Sequence, residues 1–484
     1  MAGHVRTLVV GVDGADADVV ARWIDSGRLP TLARLRSAGT SARIASPPGL
    51  GDDAAWASFA TGRGPGEHGR FHHQVIRAGD YEPAWFRRDH MDSPPFWEVL
   101  DRAGKRVAVL DVPKAPLGRL RRGCSLADWM PHGPETPSVV ATPRWLEELV
   151  TAEFVPPPGF VCDRLDRTAE QYAGYVDELL ARLELRGSLT RRVLAEADWD
   201  LLFTVVAETH CVGHQCWHLH DESHPEHDSA MRAAIGDPLA RVYTAADRHL
   251  AALIEAARPS TVVVFSLLGM APNHSGNHLL PEVLRRLDAP TARRSRIGRQ
   301  ALSNVKAALP RRVQTLAPQS LMPARRDPLG RFFAVDHDLP AGAVRLNLAG
   351  REPAGLVEPG GDYEAVLDGL QKELAAMRRA DSDEPAVLSA ARASERYPGR
   401  FANAWADLVV DWDRRRPLTA VRSPRIGTVR GAPPHDRSGN HVDQGWFIAA
   451  GPGLAHQQIA AAVPVVELTA TIAALCGVEL DSLQ

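Results

Sequence analysis

The stretch TLVVGVDG, residues 7–14, decides the fold of this chain. Its first part is an almost unbroken apolar run, and Asp13 and Gly14 follow directly. Strands that are buried on both faces of a parallel sheet have this continuous apolar character. The stretch therefore predicts a buried parallel strand whose carboxyl end lies at Asp13.

Four further segments have the same character: RVAVLD 106–111, DLLFTVV 200–206, TVVVFS 261–266 and GWFIAA 445–450. Helix-like segments, such as residues 170–197 and 237–257, separate them. This alternation predicts an α/β fold with a mostly parallel central sheet flanked by helices. Ligands of such folds bind beyond the carboxyl ends of the strands. We expect Asp13, residues 208–210 and residues 266–268 to converge there, because each follows a strand.

Composition bounds the class of protein. A chain of 484 residues with 44% hydrophobic and 24% charged residues is typical of a soluble globular protein. The net charge of −3 gives no electrostatic case for binding nucleic acid or an acidic membrane. The N-terminus lacks the pattern of a signal peptide, and no stretch is long and apolar enough for a membrane span. We expect a small anionic molecule as the partner, whereas the oligomeric state stays open.

The five cysteines are scattered and odd in number. This pattern favours reduced thiols over a disulfide framework, and it predicts a cytoplasmic protein.

Residues 285–344 differ from the rest because they are rich in arginine and proline. We predict an α/β core of residues 1–284 and 345–484, with residues 285–344 as an insert or lid. A solvated helical face explains the charges at least as well as an anion-binding role. The arginines concerned are Arg293, Arg294, Arg296, Arg299, Arg311, Arg312, Arg325 and Arg326.

The segment GDDAAWASFATGRGPGEHG, residues 51–69, holds two adjacent carboxylates, a run of small residues and a histidine turn. It resembles the nucleophile segment of the alkaline phosphatase superfamily, in particular its type I phosphodiesterase and nucleotide pyrophosphatase branch. Trp56, TG at 61–62, Pro65 and HG at 68–69 match that branch. The position of its Ser or Thr nucleophile falls on Asp52. The resemblance implies an alkaline-phosphatase-like fold and a phosphate-ester hydrolase with an altered central group.

A second motif lies at residues 207–221, AETHCVGHQCWHLHD. His210 and His214 are four residues apart, so they share one face of a helix and can bind one metal ion. The alternative is a histidine-rich helix with surface imidazoles. The superfamily has Asp, three residues and then His here, so His214 matches and His210 replaces the Asp. We expect the remaining histidines at the surface or in a lid: His218, His220, His224 and His227.

Two further segments complete the resemblance. SLLGMAPN, residues 266–273, is similar to a superfamily segment whose Asp and His bind the metal next to the nucleophile. Leu267 and Leu268 occupy those positions here, and leucine cannot bind a metal. The segment SGNHVDQG, residues 438–445, looks like the superfamily's final G-x-H segment, with His441 at the ligand position.

The superfamily usually builds two metal sites about 4 Å apart. One of them becomes His210, His214 and His441 here, and three imidazoles with an open position are a known catalytic zinc arrangement. The other retains only Asp13 and Asp52. We therefore predict a divalent ion, most plausibly zinc, and one ion rather than two. A second ion would need water, substrate oxygens or Asp53 to complete its shell.

The role of Asp52 stays open between nucleophile, metal ligand and general base. We favour ligand or base, because a bound metal damps the nucleophilicity of a carboxylate. Helix capping is the structural alternative for Asp52, and it applies to Asp53 too.

Three functional hypotheses follow. The first is a metal-dependent hydrolase of a phosphate ester, diester or related anion. The second is a catalytically inactive binding relative, which the loss at Leu267 and Leu268 favours. The third is a metal-dependent lyase or transferase in a specialised pathway, which the missing nucleophile hydroxyl favours. We predict the first, because a new ligand-capable residue at His210 is not expected from decay.

Overall fold

The computed structural model describes residues 4–130, 139–156, 163–288, 330–433 and 436–480. Its strands are β1 (Val5–Val12), β2 (Thr40–Ala45), β3 (Gln74–Ile76), β4 (Pro83–Trp85), β5 (Val107–Leu110), β6 (Cys124–Ala127), β7 (Val140–Thr142), β8 (Trp199–Val206), β9 (Thr261–Ser266), β10 (Gly269–Pro272), β11 (Phe332–Ala334), β12 (Gly342–Leu346), β13 (Arg378–Arg379), β14 (Val387–Arg392), β15 (Leu408–Trp412), β16 (Ala420–Ser423), β17 (Gly427–Arg430), β18 (Gly439–Val442), β19 (Gln444–Ala450) and β20 (Gln457–Pro464).

Its α-helices are α1 (Ala17–Asp25), α2 (Pro30–Ala38), α3 (Asp52–Thr61), α4 (Pro65–His68), α5 (Phe96–Arg102), α6 (Arg144–Glu153), α7 (Ala169–Leu194), α8 (Glu208–His220), α9 (Ser229–Ile235), α10 (Pro238–Ala257), α11 (Leu280–Leu287), α12 (Gly361–Ala375), α13 (Ala393–Arg396) and α14 (Val465–Leu475). Short 3₁₀ helices span Arg88–His90 and Asn277–Leu279.

Nine strands form the central sheet, in the order β20-β2-β19-β9-β1-β8-β5-β6-β7. The pairs β20–β2, β9–β1, β1–β8, β8–β5 and β5–β6 are parallel. The pairs β2–β19, β19–β9 and β6–β7 are antiparallel. The predicted α/β fold with a mostly parallel, helix-flanked sheet is therefore confirmed.

Burial on both faces explains the continuous apolar strands. Val10 packs in a large cluster with residues of α7, α8 and α10, whereas Val9 packs in another cluster with residues of α3, α5 and α14. Successive side chains of a strand point to opposite faces, so both need apolar residues when helices cover both.

A second, smaller part of the structure follows residue 279. Strands β11, β12, β15 and β14 form a four-stranded sheet, and β13, β16 and β17 form a three-stranded one. Both contribute to an apolar cluster of their own with α11 and α12. Residues 345–430, which the predicted division assigned to the core, thus contribute to these smaller sheets. The predicted domain boundaries stay a prediction, and the eight arginines of the predicted insert lie outside the described residues.

Helix α3, which carries the paired carboxylates, begins after Gly51 and ends at Gly62, whose φ of +65° is left-handed. Glycine adopts this conformation without a steric penalty, so Gly62 ends the helix and turns the chain towards α4. Asp52 and Asp53 lie in the first turn, where the positive end of the helix dipole stabilises carboxylates.

Among the described residues, none of the helices has the length and apolar character that crossing a bilayer requires. Four cysteines, Cys124, Cys211, Cys216 and Cys476, are buried, and Cys162 lies outside the described residues. The cytoplasmic location stays a prediction.

Candidate functional site

The carboxyl ends of β1, β8 and β9 meet at one edge of the sheet, as the sequence predicted. Asp13 N donates to Val206 O at 2.9 Å, and Thr209 Oγ1 donates to Asp13 O at 2.6 Å. Ser266 Oγ accepts from Ala15 N at 3.1 Å. The residues after three neighbouring strands are therefore joined by hydrogen bonds into one platform.

Three histidines cluster on this platform. One ligand nitrogen from each of His210, His214 and His441 lies within 4.8 Å of the others. The ring centroids are 4.5 to 4.9 Å apart, and all three residues are buried. His210 and His214 share one face of α8, as their spacing predicted. The predicted ligand set is thus close together, although its binding of a metal stays a prediction.

Close approach of β18 to α8 brings His441 to the other two histidines. A Cβ at Gly439 would lie 2.3 Å from Gly213 O, so only glycine fits there. Ser438 N donates to His214 O at 2.8 Å, which fixes the strand against the helix. Strand β18 pairs with β10 in a register that places His441 opposite Met270.

The cluster suits a cation because burial disfavours the protonated form of two of its imidazoles, those of His214 and His441. Burial, and then the neighbouring charges, hold the pKa of His214 well below its usual range and lower that of His441 to about 4. His214 Nδ1 faces Gly439 O at 2.7 Å, an arrangement that orients a ligand histidine through its second nitrogen. His441 Nδ1 is buried and has no hydrogen-bond partner among the described residues. Three imidazole nitrogen donors fit zinc.

Asp13 contacts the cluster through His210. Its Oδ2 lies 2.9 Å from His210 Nδ1, and its Oδ1 accepts from Trp56 Nε1 at 3.0 Å. Both carboxylate oxygens are thus engaged, and Asp13 lies outside the group of three mutually close ligand atoms. This geometry is that of a carboxylate that orients a ligand histidine. The predicted role of Asp13 as a direct ligand stays a prediction.

Asp52 lies beside the histidines, at the first residue of α3, and is partly exposed. Burial and Asp53 act to raise the pKa of Asp52, but Lys114, His210 and His441 outweigh them and lower it. The carboxylate is therefore ionised at neutral pH. It makes no side-chain capping hydrogen bond, because Gly51 occupies the N-cap position.

Lys114 is a site residue that sequence reasoning missed. It is 8% exposed and has a left-handed φ of +58°. The buried Arg88 holds its loop by donating to Val112 O at 3.4 Å and to Ala115 O at 3.0 Å. The fold thereby keeps a buried ammonium next to Asp52. No pattern around residue 114 marks this role, since it depends on a loop held from a distant segment.

Asp53 does not cap the helix, which corrects that alternative. It forms a buried ion pair with Arg70, whose Nε donates to Asp53 Oδ1 at 2.9 Å. Burial opposes ionisation, yet Arg70 and Lys114 hold the pKa of Asp53 well below its usual range. Arg70 is fully buried, so this pair fixes the start of α3 to the turn after α4.

Leucines occupy the positions of the superfamily's second ligand pair. Leu267 and Leu268 are each 1% exposed and pack in the apolar cluster beneath the sheet. Their backbone carbonyls accept hydrogen bonds at the end of β9: Ser46 Oγ donates to Leu267 O and Ser266 Oγ donates to Leu268 O, both at 2.7 Å. These positions supply apolar packing and no metal ligand.

The expectation that the other histidines of this region lie at the surface or in a lid is wrong for two of them. His218 and His224 are 7% and 8% exposed, whereas His220 and His227 are partly exposed. Helix α8 is buried along most of its length between α7 and α10, which its histidine-rich sequence does not indicate.

Comparison with known proteins gives a consistent family. The model of the family described as type I phosphodiesterase / nucleotide pyrophosphatase matches residues 7–446. No curated protein sequence matches the chain significantly.

One solved enzyme shares the fold at a TM-score above 0.5. Phosphonoacetate hydrolase from Sinorhizobium meliloti 1021, solved with phosphonoformate or with phosphonoacetate, has a TM-score of 0.56 and 15% identity to this chain. The alignment covers 98% of this chain and 96% of that one. Murine ectonucleotide pyrophosphatase / phosphodiesterase 5, in a complex with AMP, has a TM-score of 0.48 and 13% identity, covering 98% and 95%. The family model matches residues 7–446, which is most of this chain. The chain therefore belongs to the type I phosphodiesterase / nucleotide pyrophosphatase family of the alkaline phosphatase superfamily.

Proposed function

We propose that this chain is a metal-dependent hydrolase of phosphate esters, diesters or related anions, and that one zinc ion binds at His210, His214 and His441. The buried cluster of three imidazoles beside an ionised Asp52 carries the proposal. Family membership supports the hydrolase class and phosphate-related substrates.

At the site formed by the three histidines and Asp52, one ion is favoured over two because of the residues at the superfamily's second ligand positions. Leu267 and Leu268 are buried apolar residues at the positions where the superfamily binds its second ion. A bound zinc ion supplies Lewis acidity towards a phosphoryl oxygen and lowers the pKa of water.

Asp52 acts as a general base or as a further ligand. Its carboxylate stays ionised beside the cluster, and a metal at the histidines would strengthen that preference. General-base action requires this protonation state. Nucleophilic attack by Asp52 is the less favoured role, because Lys114 and the cation both withdraw charge from its oxygens.

Lys114 supplies a second positive charge without a second metal. It has no hydrogen bond or ion pair among the described residues, so its ammonium is available to an anionic substrate. Substrates with two anionic groups, such as phosphonates bearing a carboxylate, are included in the class for this reason. The related fold of phosphonoacetate hydrolase makes such compounds reasonable test substrates.

A second candidate is a metal-dependent lyase or transferase on the same scaffold. The carboxylate at position 52, where the branch has a hydroxyl nucleophile, favours it. Both candidates require the metal, so only analysis of the reaction products can distinguish a hydrolase from a lyase or transferase.

The experiment is a turnover assay of zinc-loaded protein with an aryl phosphate monoester, an aryl phosphate diester and phosphonoacetate. We expect hydrolysis of at least one substrate, its loss in His441→Ala, and full activity in His456→Ala, a matched change at an exposed histidine. Asp52→Asn should retain zinc and lose about 10²- to 10⁴-fold in rate if Asp52 is the base. It should lose zinc if Asp52 is a ligand. No hydrolysis of any substrate by the zinc-loaded protein contradicts the hydrolase and favours the lyase or transferase.

A further inference from the structure

A second group of metal-ligand side chains lies outside the three-histidine cluster. One ligand atom from each of His72, His73 and Asp338 lies within 4.8 Å of the others. His72 Nε2 is 3.0 Å from Asp338 Oδ1, and the two imidazole centroids are 3.8 Å apart. Two imidazoles and a carboxylate form the donor set of a known class of zinc site.

The fold brings these residues together from distant segments. His72 and His73 precede β3, whereas Asp338 lies in the loop between β11 and β12 of the smaller sheet. Asn440 Nδ2 donates to Asp338 O at 3.2 Å, and Asn440 Oδ1 accepts from His441 N at 2.8 Å. The two groups of ligands are therefore separate but linked through a single asparagine.

The charges around the group suit a cation. Asp338 Oδ1 lies 3.0 Å from His72 Nε2, so a carboxylate oxygen faces the imidazoles. Arg437 Nη1 lies 2.8 Å from the other carboxylate oxygen, Asp338 Oδ2. Asp53 Oδ2 lies 3.5 Å from His73 Nδ1 and adds a further carboxylate at the border.

Access to the group is open. The side chain of His73 is 28% exposed and that of Asp338 is 43% exposed, while His72 is buried at 3%. An ion can therefore enter from solvent and exchange with it.

We propose that His72, His73 and Asp338 bind a second divalent ion of the zinc class, at a site distinct from the three-histidine cluster. This goes beyond the proposed function, which needs only that cluster. The ion joins the smaller sheet to the turn after α4, close to Asp53 and thus one residue from Asp52. It places a second cation near the carboxylate pair, although Leu267 and Leu268 cannot hold one.

Binding requires one tautomer change. Gln74 N donates to His72 Nδ1 at 3.3 Å, so Nδ1 is an acceptor and Nε2 is the nitrogen that donates to Asp338 Oδ1. When an ion binds Nε2, the proton of that nitrogen moves to Nδ1, and the long contact with Gln74 is lost. Asp338 Oδ1 then contacts the ion instead of His72.

Zinc content per chain tests the proposal, measured by mass spectrometry after equilibration with zinc and removal of free metal. Wild type should hold two equivalents. His73→Ala and Asp338→Asn should each hold one, as should His441→Ala, which removes a ligand of the other cluster. His456→Ala, at an exposed histidine outside both groups, should hold two. Circular dichroism and thermal unfolding show which variants are folded, and the partly exposed His73 is the less disruptive change.

The outcomes separate the two metal sites. Unchanged zinc content in both His73→Ala and Asp338→Asn overturns the second site, even when His441→Ala loses its ion and the proposed function stands. Loss of zinc in Asp338→Asn but not in His441→Ala supports the second site and overturns the first. Nitrogen-15 spectra of His441→Ala give a second readout. Zinc should convert His72 from the Nε2–H to the Nδ1–H tautomer, and zinc bound without that change contradicts the assignment.

Discussion

Asp13 Oδ2 lies 2.9 Å from His210 Nδ1, at the junction between the end of β1 and the first turn of α8. The two residues are 197 positions apart in the chain, and both are buried. Gly14 permits this approach, because a Cβ there would lie 3.1 Å from His210 Cα and its φ is +63°. The carboxylate accepts a hydrogen bond from His210 Nδ1, which leaves Nε2 as the nitrogen that can bind a metal ion.

Asp13→Asn should weaken zinc binding by about 10- to 100-fold, because it removes the charge that orients and polarises His210. Competition with a chromophoric chelator measures the affinity. Asp25→Asn, at an exposed carboxylate, should leave it unchanged. An affinity equal to that of wild type would contradict an orienting role for Asp13.

Lys114→Met should move the acidic limb of the pH–rate profile to higher pH. Lys114 lowers the pKa of Asp52, so its removal raises that pKa and the ionised carboxylate forms only at higher pH. The KM for an anionic substrate should also rise about tenfold or more, because a charged partner is lost. Lys372→Met, at an exposed lysine, serves as the control. An acidic limb at the same pH as in wild type would show that Lys114 does not lower the pKa of Asp52.

Arg70→Met should lower the free energy of unfolding by about 3–5 kcal/mol, because Asp53 is left buried and unpaired. Urea denaturation measures this. Arg36→Met breaks an exposed ion pair with Asp25 and should cost at most about 1 kcal/mol. Adding Asp53→Asn to Arg70→Met should recover part of the loss. Equal effects of the two single changes would show that the buried pair does not stabilise α3.

Stability should fall as the pH drops below 6.5, in part through His249. Burial lowers the pKa of this histidine from 6.5 to about 3, and Arg186 and Arg191 add to the effect. Between these values the unfolded chain binds a proton that the folded chain does not, so stability is lost as pH falls through this window. At about pH 4.5 this linkage costs roughly 2–3 kcal/mol.

His249→Phe should remove that contribution, so its free energy of unfolding should vary less between about pH 4.5 and neutral pH. His456→Ala should keep the slope of wild type. If the free energy of unfolding varies equally with pH in His249→Phe and in wild type, His249 does not cause the pH dependence.

The sequence was most informative where one physical rule dominates. Strands β1, β8 and β9 were predictable because they are covered on both faces and read as apolar runs. The spacing of His210 and His214 was sufficient to place both on one helix face. His441 could be assigned only because its segment stands in the same order along the chain as in the superfamily. Local sequence could not indicate its position, since the contact that brings β18 to α8 joins Gly213 and Gly439, 226 residues apart.

Residues whose role depends on distant contacts were not predictable. Lys114 enters the site because Arg88 fixes its loop, and the burial of His218 and His224 depends on how neighbouring segments cover α8. Capping was an alternative role for Asp53 because local rules favour an acid at a helix start, yet its partner Arg70 lies beyond the next helix. The group of His72, His73 and Asp338 joins two sheets, and no local spacing indicates it.

The central claim is that His210, His214 and His441 bind one metal ion. Anomalous diffraction at the zinc edge, from crystals of the zinc-loaded protein, tests it most directly. The account predicts a peak bound by three imidazole nitrogens at about 2.0–2.1 Å. Zinc-loaded crystals that show no peak among these three histidines would contradict it.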